Sequence, residues 1–314
     1  MRNRLRKLRF SYIHIPPHGK QVVYLCSPPL PVLVYTSEVD QESVMAHKGK
    51  PTIVIVPGAM HSTKHYEPLM QQLRSYGYKC VGVPLKTTQS TDTPANGLGD
   101  DTNAIQTAVS ELLDGEENDV VVLAHSYGGV PANNALHGLD TESRQAQGKS
   151  DSVKALAFMA SLPIPKGLSP GGFLYARKTD GPKEDLSAVD MDSTGTFATP
   201  KSSDPGAGEV LFHDLPTEEA KKWAGMLRPM SMKPMFEETS YAAYQDIPTG
   251  YLYCSNDKSL PLVAQQYIMS AAKEAGAKIV LEETVEASHS PFLSKIEETS
   301  AFVRKLIELT GPTQ

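Results

Sequence analysis

A run of apolar residues that ends in a serine constrains the fold of this chain more than any other segment. It covers residues 120–129, with the sequence VVVLAHSYGG. The valines before Ser126 predict a buried strand, and the glycines after it predict a sharp turn into a helix. Ala124 and Gly128 lie two positions before and after Ser126, where small residues let strand and helix approach closely. The pattern predicts a nucleophile elbow. Taken alone, it also fits an ordinary strand-to-helix turn of an α/β protein.

Short apolar segments alternate with longer helical patterns along most of the chain. Segments rich in valine and isoleucine predict buried parallel strands at residues 52–56, 79–83, 120–125, 153–160, 250–254 and 278–282. Periodic patterns predict helices at residues 66–76, 100–113, 129–139, 262–275 and 291–309. The alternation predicts an α/β fold with a mostly parallel, doubly wound sheet, whose strands end along one edge. Two weaker strands are predicted at residues 21–25 and 31–35.

One long segment breaks this alternation, and it divides the chain. Residues 163–246 contain no convincing buried strand; a glycine- and proline-rich start leads into a polar stretch at 178–205 and a predicted helix at 216–227. We interpret this segment as a helical cap over the strand ends, inserted before the strand predicted at 250–254. A disordered loop is the alternative. Residues 1–50 are interpreted as an N-terminal extension with edge strands, and residues 51–162 and 247–314 as the core.

Composition and charge narrow the class of protein. The chain has 314 residues, 40% of them hydrophobic, and a net charge of -6, which disfavours binding to nucleic acid. No run of 18 apolar residues exists, so no membrane span is expected. Cys26, Cys80 and Cys254 lie far apart, which favours free thiols and a cytoplasmic location. The basic N-terminus leaves an organelle leader open, and the sequence also leaves a homodimer open.

Two further residues follow later strands, and with Ser126 they give the chain order serine, acid, histidine. A serine hydroxyl needs an adjacent base, and in this topology the order is serine, acid, histidine. Asp257 follows the strand predicted at 250–254, and His289 follows the last strand. We predict that His289 accepts the Ser126 proton and that Asp257 holds its imidazole in place. Taken alone, each could instead cap a nearby helix. His125 cannot be the base, because consecutive side chains point in different directions.

Backbone amides complete the predicted site. The Tyr127 N–H, directly after the nucleophile, is one predicted oxyanion donor; Ala59 is the first choice for the other, and Met60 the second. A plain glycine turn at Gly58 is the alternative for that loop. The predicted substrate pocket consists of Gly58, His61, His125, Met226 and Met230. Methionines suit a pliable pocket, although core packing explains them equally well.

These motifs together resemble the α/β-hydrolase superfamily, in particular the branch of plant methylesterases and hydroxynitrile lyases with fungal and bacterial relatives. The matching segments are residues 54–61, 66–69, 124–129, 257–261 and 288–291, and residues 212–216 resemble a cap segment common in fungal members. The resemblance implies the α/β-hydrolase fold, a triad of Ser126, His289 and Asp257, a helical cap, and neither a metal nor an organic cofactor.

Two departures from this branch bear on the reaction. Its lyases carry a threonine in the oxyanion loop and a lysine directly after the histidine, whereas this chain has Ala59 and Ser290 there. The resemblance therefore implies hydrolysis of a carboxylic ester, lactone or thioester of a small-to-medium apolar molecule. The alternatives are an amide-cleaving or non-hydrolytic enzyme of secondary metabolism, and a ligand receptor that keeps the triad.

Overall fold

Parallel strands form the central sheet of the protein. The computed structural model describes residues 49–89, 91–115, 118–176, 188–202 and 206–311. The sheet order is β2-β1-β3-β4-β8-β9, and every neighbouring pair is parallel. The strands are β1 (Thr52–Val56), β2 (Cys80–Gly82), β3 (Val120–His125), β4 (Val153–Met159), β8 (Thr249–Cys254) and β9 (Ile279–Val285). All six predicted strands are confirmed, with ends shifted by three residues at most.

Helices connect the strands of the sheet, and the longer ones bury apolar residues on one face. They are α1 (Glu67–Ser75), α2 (Leu98–Gly115), α3 (Gly129–Ala135), α4 (Thr141–Ala146), α8 (Leu262–Glu274), α9 (Pro291–Ser294) and α10 (Ile296–Thr310). The helix predicted at 291–309 is interrupted at Lys295. The helix predicted at 129–139 ends early, and α4 was not predicted; Asp140 caps α4 by accepting the Ser143 N–H.

The order of the strands places two loops side by side. The chain passes from β1 to β2 on one side and then returns to β3 on the other side of β1. Ligands bind at such a switch point in open α/β sheets, outside the carboxyl ends of the strands. Val56 is paired with Ala124, so the loops after β1 and β3 leave the sheet next to each other. These loops carry Gly58 and Ser126.

The segment at 163–246 differs from the prediction, because it contains strands as well as helices. Its helices are α5 (Pro170–Ala176), α6 (Ala207–Leu211) and α7 (Thr217–Ala224). The strands β5 (Val189–Met191), β6 (Phe197–Pro200) and β7 (Met230–Ser231) form an antiparallel sheet. The expectation of a segment without buried strands was therefore wrong. Each of these strands has four residues or fewer, too few for an alternating pattern to stand out.

Two predicted strands, at 21–25 and 31–35, lie outside the described residues, as does Cys26. Cys80 and Cys254 are free and buried. Burial raises the pKa of Cys80 to about 11 and that of Cys254 well above its ordinary value. In the part of the chain that the structure describes, no helix is both long and apolar enough to cross a bilayer.

Candidate active site

Ser126 lies on a strained turn between β3 and α3. Its φ is +51°, in the left-handed region, which costs a residue with a side chain about 1–2 kcal/mol. A Cβ on Gly128 would lie 2.3 Å from the Pro57 carbonyl oxygen, so only glycine lets the turn pack against the β1 loop. The Ser126 carbonyl accepts hydrogen bonds from the Ser161 hydroxyl and the Leu162 N–H, at 2.8 and 3.2 Å. These contacts hold the turn and leave the Ser126 side chain partly exposed.

The structure brings Ser126, His289 and Asp257 together. His289 Nε2 lies 2.9 Å from Ser126 Oγ, and His289 Nδ1 lies 2.6 Å from Asp257 Oδ2. The imidazole and the carboxylate are both buried, whereas the serine reaches the surface. A hydroxyl, an imidazole and a carboxylate in this sequence of contacts can pass a proton from oxygen to nitrogen while the carboxylate stabilises the resulting charge.

The loop that carries Asp257 is fixed by hydrogen bonds on both sides. Asp257 Oδ1 accepts the N–H groups of Ser259 and Leu260, each at 2.8 Å, which leaves Oδ2 for His289. The buried Gln265 of α8 bonds to both backbone groups of Cys254 and to the Leu260 carbonyl. Asp257 therefore bonds to its own loop and not to the first turn of α8, whose N-cap residue is Pro261, so the alternative that it caps this helix is wrong.

The loop after β1 forms a tight turn with its peptides held in fixed directions. The Gly58 carbonyl accepts the His61 N–H at 3.2 Å, and Met60 has a φ of +64°. In a trans peptide the carbonyl and the N–H point in opposite directions, so this bond also fixes the Ala59 N–H. The Ala59 carbonyl accepts His61 Nδ1–H at 2.7 Å, which fixes the Met60 N–H in the same way. Among the described residues no acceptor occupies the Ala59 N–H.

Tyr127 is anchored through its side chain. Its hydroxyl donates to Asp101 Oδ2 at 2.8 Å, and the same carboxylate accepts the Thr87 hydroxyl and the Thr87 N–H. Asp101 is fully buried on α2, and burial raises the pKa of its carboxyl group. The Tyr127 N–H shares its peptide unit with the Ser126 carbonyl, so the two bonds that this carbonyl accepts fix the direction of the amide predicted as an oxyanion donor.

The histidines predicted to line the pocket are buried and offer little to a substrate. Both ring nitrogens of His125 bond to protein groups, and its side chain is inaccessible. His61 uses Nδ1 within its own turn, and its buried Nε2 has no partner among the described residues. Burial lowers the pKa of both rings well below the ordinary value, so they are neutral near pH 7. Gly58 lies directly beside them: a Cβ there would lie 2.6 Å from His125 Nδ1.

The two predicted pocket methionines lie in different places. Met230 is buried in β7, where it is paired with Ala198 of β6. Met226 lines a surface groove of about 380 Å³, together with Thr63, Lys64, Glu67, Met70, Lys222 and Trp223. Neither Ser126 nor His289 lines that groove.

Residues near the site that the sequence analysis missed act mainly through hydrogen bonds to the backbone. Ser161, Gln265, Asp101 and Asp214 are examples, and each lies in a different element or loop from its partner. The spacing of residues in the sequence does not reveal the hydrogen-bond partner of a buried polar residue in a helix or a loop.

In the described ranges no group of three or more histidine, cysteine or carboxylate side chains is arranged to hold a metal ion.

Contacts from the segment at 163–246 reach the loops on both sides of Ser126. Asp214 Oδ2 accepts the Ser288 N–H at 2.8 Å and the Ser294 hydroxyl at 2.6 Å, next to His289. On the other side, the Arg228 N–H donates to the Met60 carbonyl at 2.9 Å. The segment predicted as a cap is thus bonded to the loop that carries His289 and to the turn after β1.

Comparison with known proteins identifies the family of the chain. Residues 53–302 match the model of the alpha/beta hydrolase family, and the chain belongs to that family. The alpha/beta hydrolase nvfD of Aspergillus novofumigatus is 27% identical, over 81% of this chain and 96% of that protein. Among solved structures, a pyrethroid hydrolase from Sphingobium faniae has a TM-score of 0.64 at 18% identity, covering 83% of this chain and 98% of its own. Polyneuridine aldehyde esterase has a TM-score of 0.60 at 19% identity, covering 83% and 99%.

These findings confirm the family and the fold that the sequence motifs predicted. The family match and the hydrolase relative also support hydrolase activity. The two solved structures share the fold of this chain at identities that carry no further conclusion about its substrate.

Proposed function

We propose that the protein hydrolyses a carboxylic ester, lactone or thioester of a small-to-medium apolar molecule through an acyl-enzyme on Ser126. The observation that carries this proposal is the continuous contact from Ser126 Oγ to His289 Nε2 at 2.9 Å and from His289 Nδ1 to Asp257 at 2.6 Å. A serine hydroxyl becomes an effective nucleophile when a positioned base removes its proton during attack.

The proposed reaction has two halves. Ser126 Oγ attacks the ester carbonyl as His289 Nε2 takes its proton, and His289 then gives that proton to the departing alcohol. A water molecule next loses a proton to His289 and attacks the acyl carbon. The bond from the acyl carbon to Ser126 Oγ then breaks, which releases the acid, and His289 returns its proton to Ser126 Oγ. Asp257 stays ionised throughout and stabilises the imidazolium that forms twice in the cycle.

The negative charge of each tetrahedral intermediate needs amide donors that are already in place. We assign the Tyr127 N–H and the Ala59 N–H to this task, with the Met60 N–H as the second choice on the β1 side. Support comes from the bonds that fix their peptides and from the lack of an acceptor for Ala59 among the described residues. Loss of one such donor typically costs about 3–4 kcal/mol of transition-state stabilisation.

Two observations favour an ester over the cyanohydrin chemistry of the related lyases. Ser290, in place of the lysine, is buried and carries no charge that could hold cyanide. Ala59 supplies no hydroxyl to the turn at residues 58–61, which carries the proposed oxyanion donors on the β1 side and is called the oxyanion turn below. The name of one structural neighbour, polyneuridine aldehyde esterase, agrees with ester cleavage.

A panel of p-nitrophenyl and methyl esters with acyl chains of different length tests the proposal. We expect steady hydrolysis by the wild type and a loss of roughly 10⁶-fold in kcat for Ser126→Ala, as in other triad enzymes. A fluorophosphonate probe should label the wild type and leave Ser126→Ala unlabelled. Ser75→Ala, which changes an exposed serine on α1, is the matched control and should keep wild-type rates.

Different outcomes of this experiment separate the alternatives. Turnover of amides but not of esters would replace the ester assignment with amide cleavage. Probe labelling of Ser126 without turnover of any ester or amide would favour a receptor or a non-hydrolytic enzyme. Wild-type turnover in Ser126→Ala would overturn the serine mechanism itself.

A further inference from the structure

A buried histidine lies between the oxyanion turn and His289, and the proposed mechanism does not use it. His125 directly precedes Ser126, and its side chain is inaccessible to solvent. The centroids of the His125 and His289 rings are 4.7 Å apart, with the planes tilted by 52°. A polar ring in such a place needs partners for both nitrogens, because an unpaired buried polar group is costly.

The partners of His125 define which nitrogen carries its proton. Nε2 lies 2.9 Å from the backbone carbonyl of His289, and a carbonyl only accepts, so Nε2 carries the hydrogen. Nδ1 lies 2.7 Å from the Tyr66 hydroxyl and therefore receives the Tyr66 O–H. Burial lowers the pKa of His125 well below its ordinary value, in keeping with this neutral form.

Tyr66 extends the chain of bonds to the oxyanion turn. Its hydroxyl oxygen accepts the Gly58 N–H at 2.9 Å while its hydrogen points to His125. The bonds therefore run in one direction, from the Gly58 amide through Tyr66 and His125 to the His289 carbonyl. Hydrogen bonds arranged in this way polarise and strengthen one another. They connect the loop after β1 to the loop after β9, which are more than 220 residues apart in sequence.

Packing around this chain of bonds leaves little room for adjustment. A Cβ on Gly58 would approach His125 Nδ1 to 2.6 Å. Phe292 stacks on the Tyr66 ring at 4.2 Å between centroids and meets the His125 ring edge-on at 5.0 Å. The two rings are thus held from the side by an aromatic residue of α9, the helix that follows His289.

We propose that Tyr66 and His125 form a positioning relay that sets the distance between the oxyanion turn and the backbone of His289. The inference rests on the proposed function. During attack, negative charge grows at the turn while positive charge grows on His289, and both groups must keep their places to within about 0.5 Å. Neither Tyr66 nor His125 touches the reacting atoms in this assignment, so both are positioning residues.

Tyr66→Phe tests the relay, because it removes one oxygen and keeps the ring. It leaves the Gly58 N–H and His125 Nδ1 without a partner. We expect kcat to fall about 10–100-fold, because a small misplacement of the reacting groups typically lowers the rate by that factor. KM should change much less. The rate of fluorophosphonate labelling should fall in parallel. Titration with the probe counts active sites, so a partly unfolded sample cannot imitate this result.

Tyr244→Phe is the matched control. Tyr244 is fully buried, and its hydroxyl has no partner in the described part of the chain. This variant also removes one buried hydroxyl, and its kcat per active site should equal that of the wild type. A similar fall in both variants would show a general effect of a lost hydroxyl and would overturn the relay.

His125→Gln and His125→Leu supply an independent readout. Glutamine retains an N–H donor that can reach the His289 carbonyl, so it should recover part of the kcat that leucine loses. In the Tyr66→Phe/His125→Leu double variant, the two losses should not add, because both break the same chain of bonds. Additive losses, or wild-type kcat in Tyr66→Phe while Ser126→Ala is inactive, would overturn the relay and leave the proposed function intact. Activity in Ser126→Ala would instead overturn the proposed function.

Discussion

At the scale of single residues, backbone strain is concentrated around the candidate site. Within the described ranges, the residues other than glycine that have positive φ are Met60, Ser126 and Ala160. Each lies just beyond the end of a strand at the same edge of the sheet: β1, β3 and β4. Such conformations persist only when the surrounding structure enforces them, and they cluster at functional sites. Here hydrogen bonds to the Ser126 and Met60 carbonyls supply that enforcement.

Gly128→Ala should be strongly destabilising, because the new Cβ would lie 2.3 Å from the Pro57 carbonyl oxygen, which is backbone and cannot rotate away. Forced displacement in a packed core costs about 1–3 kcal/mol or more, and here it would also move Ser126. Gly99→Ala on α2 is the matched control, since a Cβ there meets nothing within 4 Å. Gly99 is exposed in the first turn of the helix, so this change should alter stability by less than about 0.5 kcal/mol. Thermal unfolding measures both, and equal midpoints would contradict the packing argument.

At the scale of elements, hydrogen bonds join the segment at 163–246 to the loops around the candidate site. Asp214, between α6 and α7, accepts two bonds from the loop and helix that flank His289. The Ser288 hydroxyl donates to the Leu211 carbonyl, and His65 Nε2 lies 3.2 Å from the Trp223 carbonyl. A segment that only covered the strand ends would need none of these bonds. The position of His289 therefore depends on an element inserted between β4 and β8.

Asp214→Asn should lower both stability and activity. The variant removes the charge that strengthens the bonds from Ser288 and Ser294. Because Asp214 is exposed and its charge is screened by solvent, we expect a loss of about 0.5–1.5 kcal/mol per bond. We expect a lower thermal midpoint and a lower kcat, with the stability loss measured by urea unfolding. Glu218→Gln removes an exposed partner of Lys221 and should change stability by less than about 1 kcal/mol. An Asp214→Asn enzyme with wild-type midpoint and kcat would show that the loop holds His289 without this contact.

At the scale of the whole molecule, buried histidines make global stability sensitive to acid. The pKa values of His61 and His125 in the folded chain are well below the ordinary value of 6.5, mainly because of burial. As the pH falls below 6.5, these histidines become protonated in the unfolded chain, whereas their buried rings stay neutral in the folded chain. The contribution of the two histidines to stability is therefore complete above that pH and is lost as the pH falls. Asp101, whose pKa burial raises, acts in the opposite direction.

Urea unfolding between pH 7.5 and pH 5 measures this effect. Each histidine should contribute a slope of about 1.4 kcal/mol per pH unit below its unfolded pKa. The free energy of unfolding should therefore fall towards pH 5. His61→Gln should show a shallower dependence on pH than the wild type. A free energy of unfolding that stays constant over this range would mean that these histidines take up protons in the folded protein as readily as in the unfolded chain.

Particular elements show which parts of the fold local sequence specifies. β1 and β3 were predicted to the residue, because continuous runs of valine, isoleucine and leucine mark strands buried on both faces. β5 to β7 were missed, because they are short and their pairing depends on partners far along the chain. The three residues Ser126, Asp257 and His289 were selected from their order after successive strands. Their catalytic roles stay predictions for the experiments above.

By itself, the sequence determined the α/β architecture, the family and the loops on which reactive side chains stand. The architecture and the loops follow from hydrophobic period and from small residues at turns, both of which are local, and the family follows from the resemblance of the motifs. Tertiary structure alone decided that His125 bonds to Tyr66 and to the His289 backbone, that Asp214 reaches the loop of His289, and that Met226 faces a separate groove. The physical reason is that a buried polar group takes whichever partner the packed chain brings within hydrogen-bonding distance, and no local pattern records that partner.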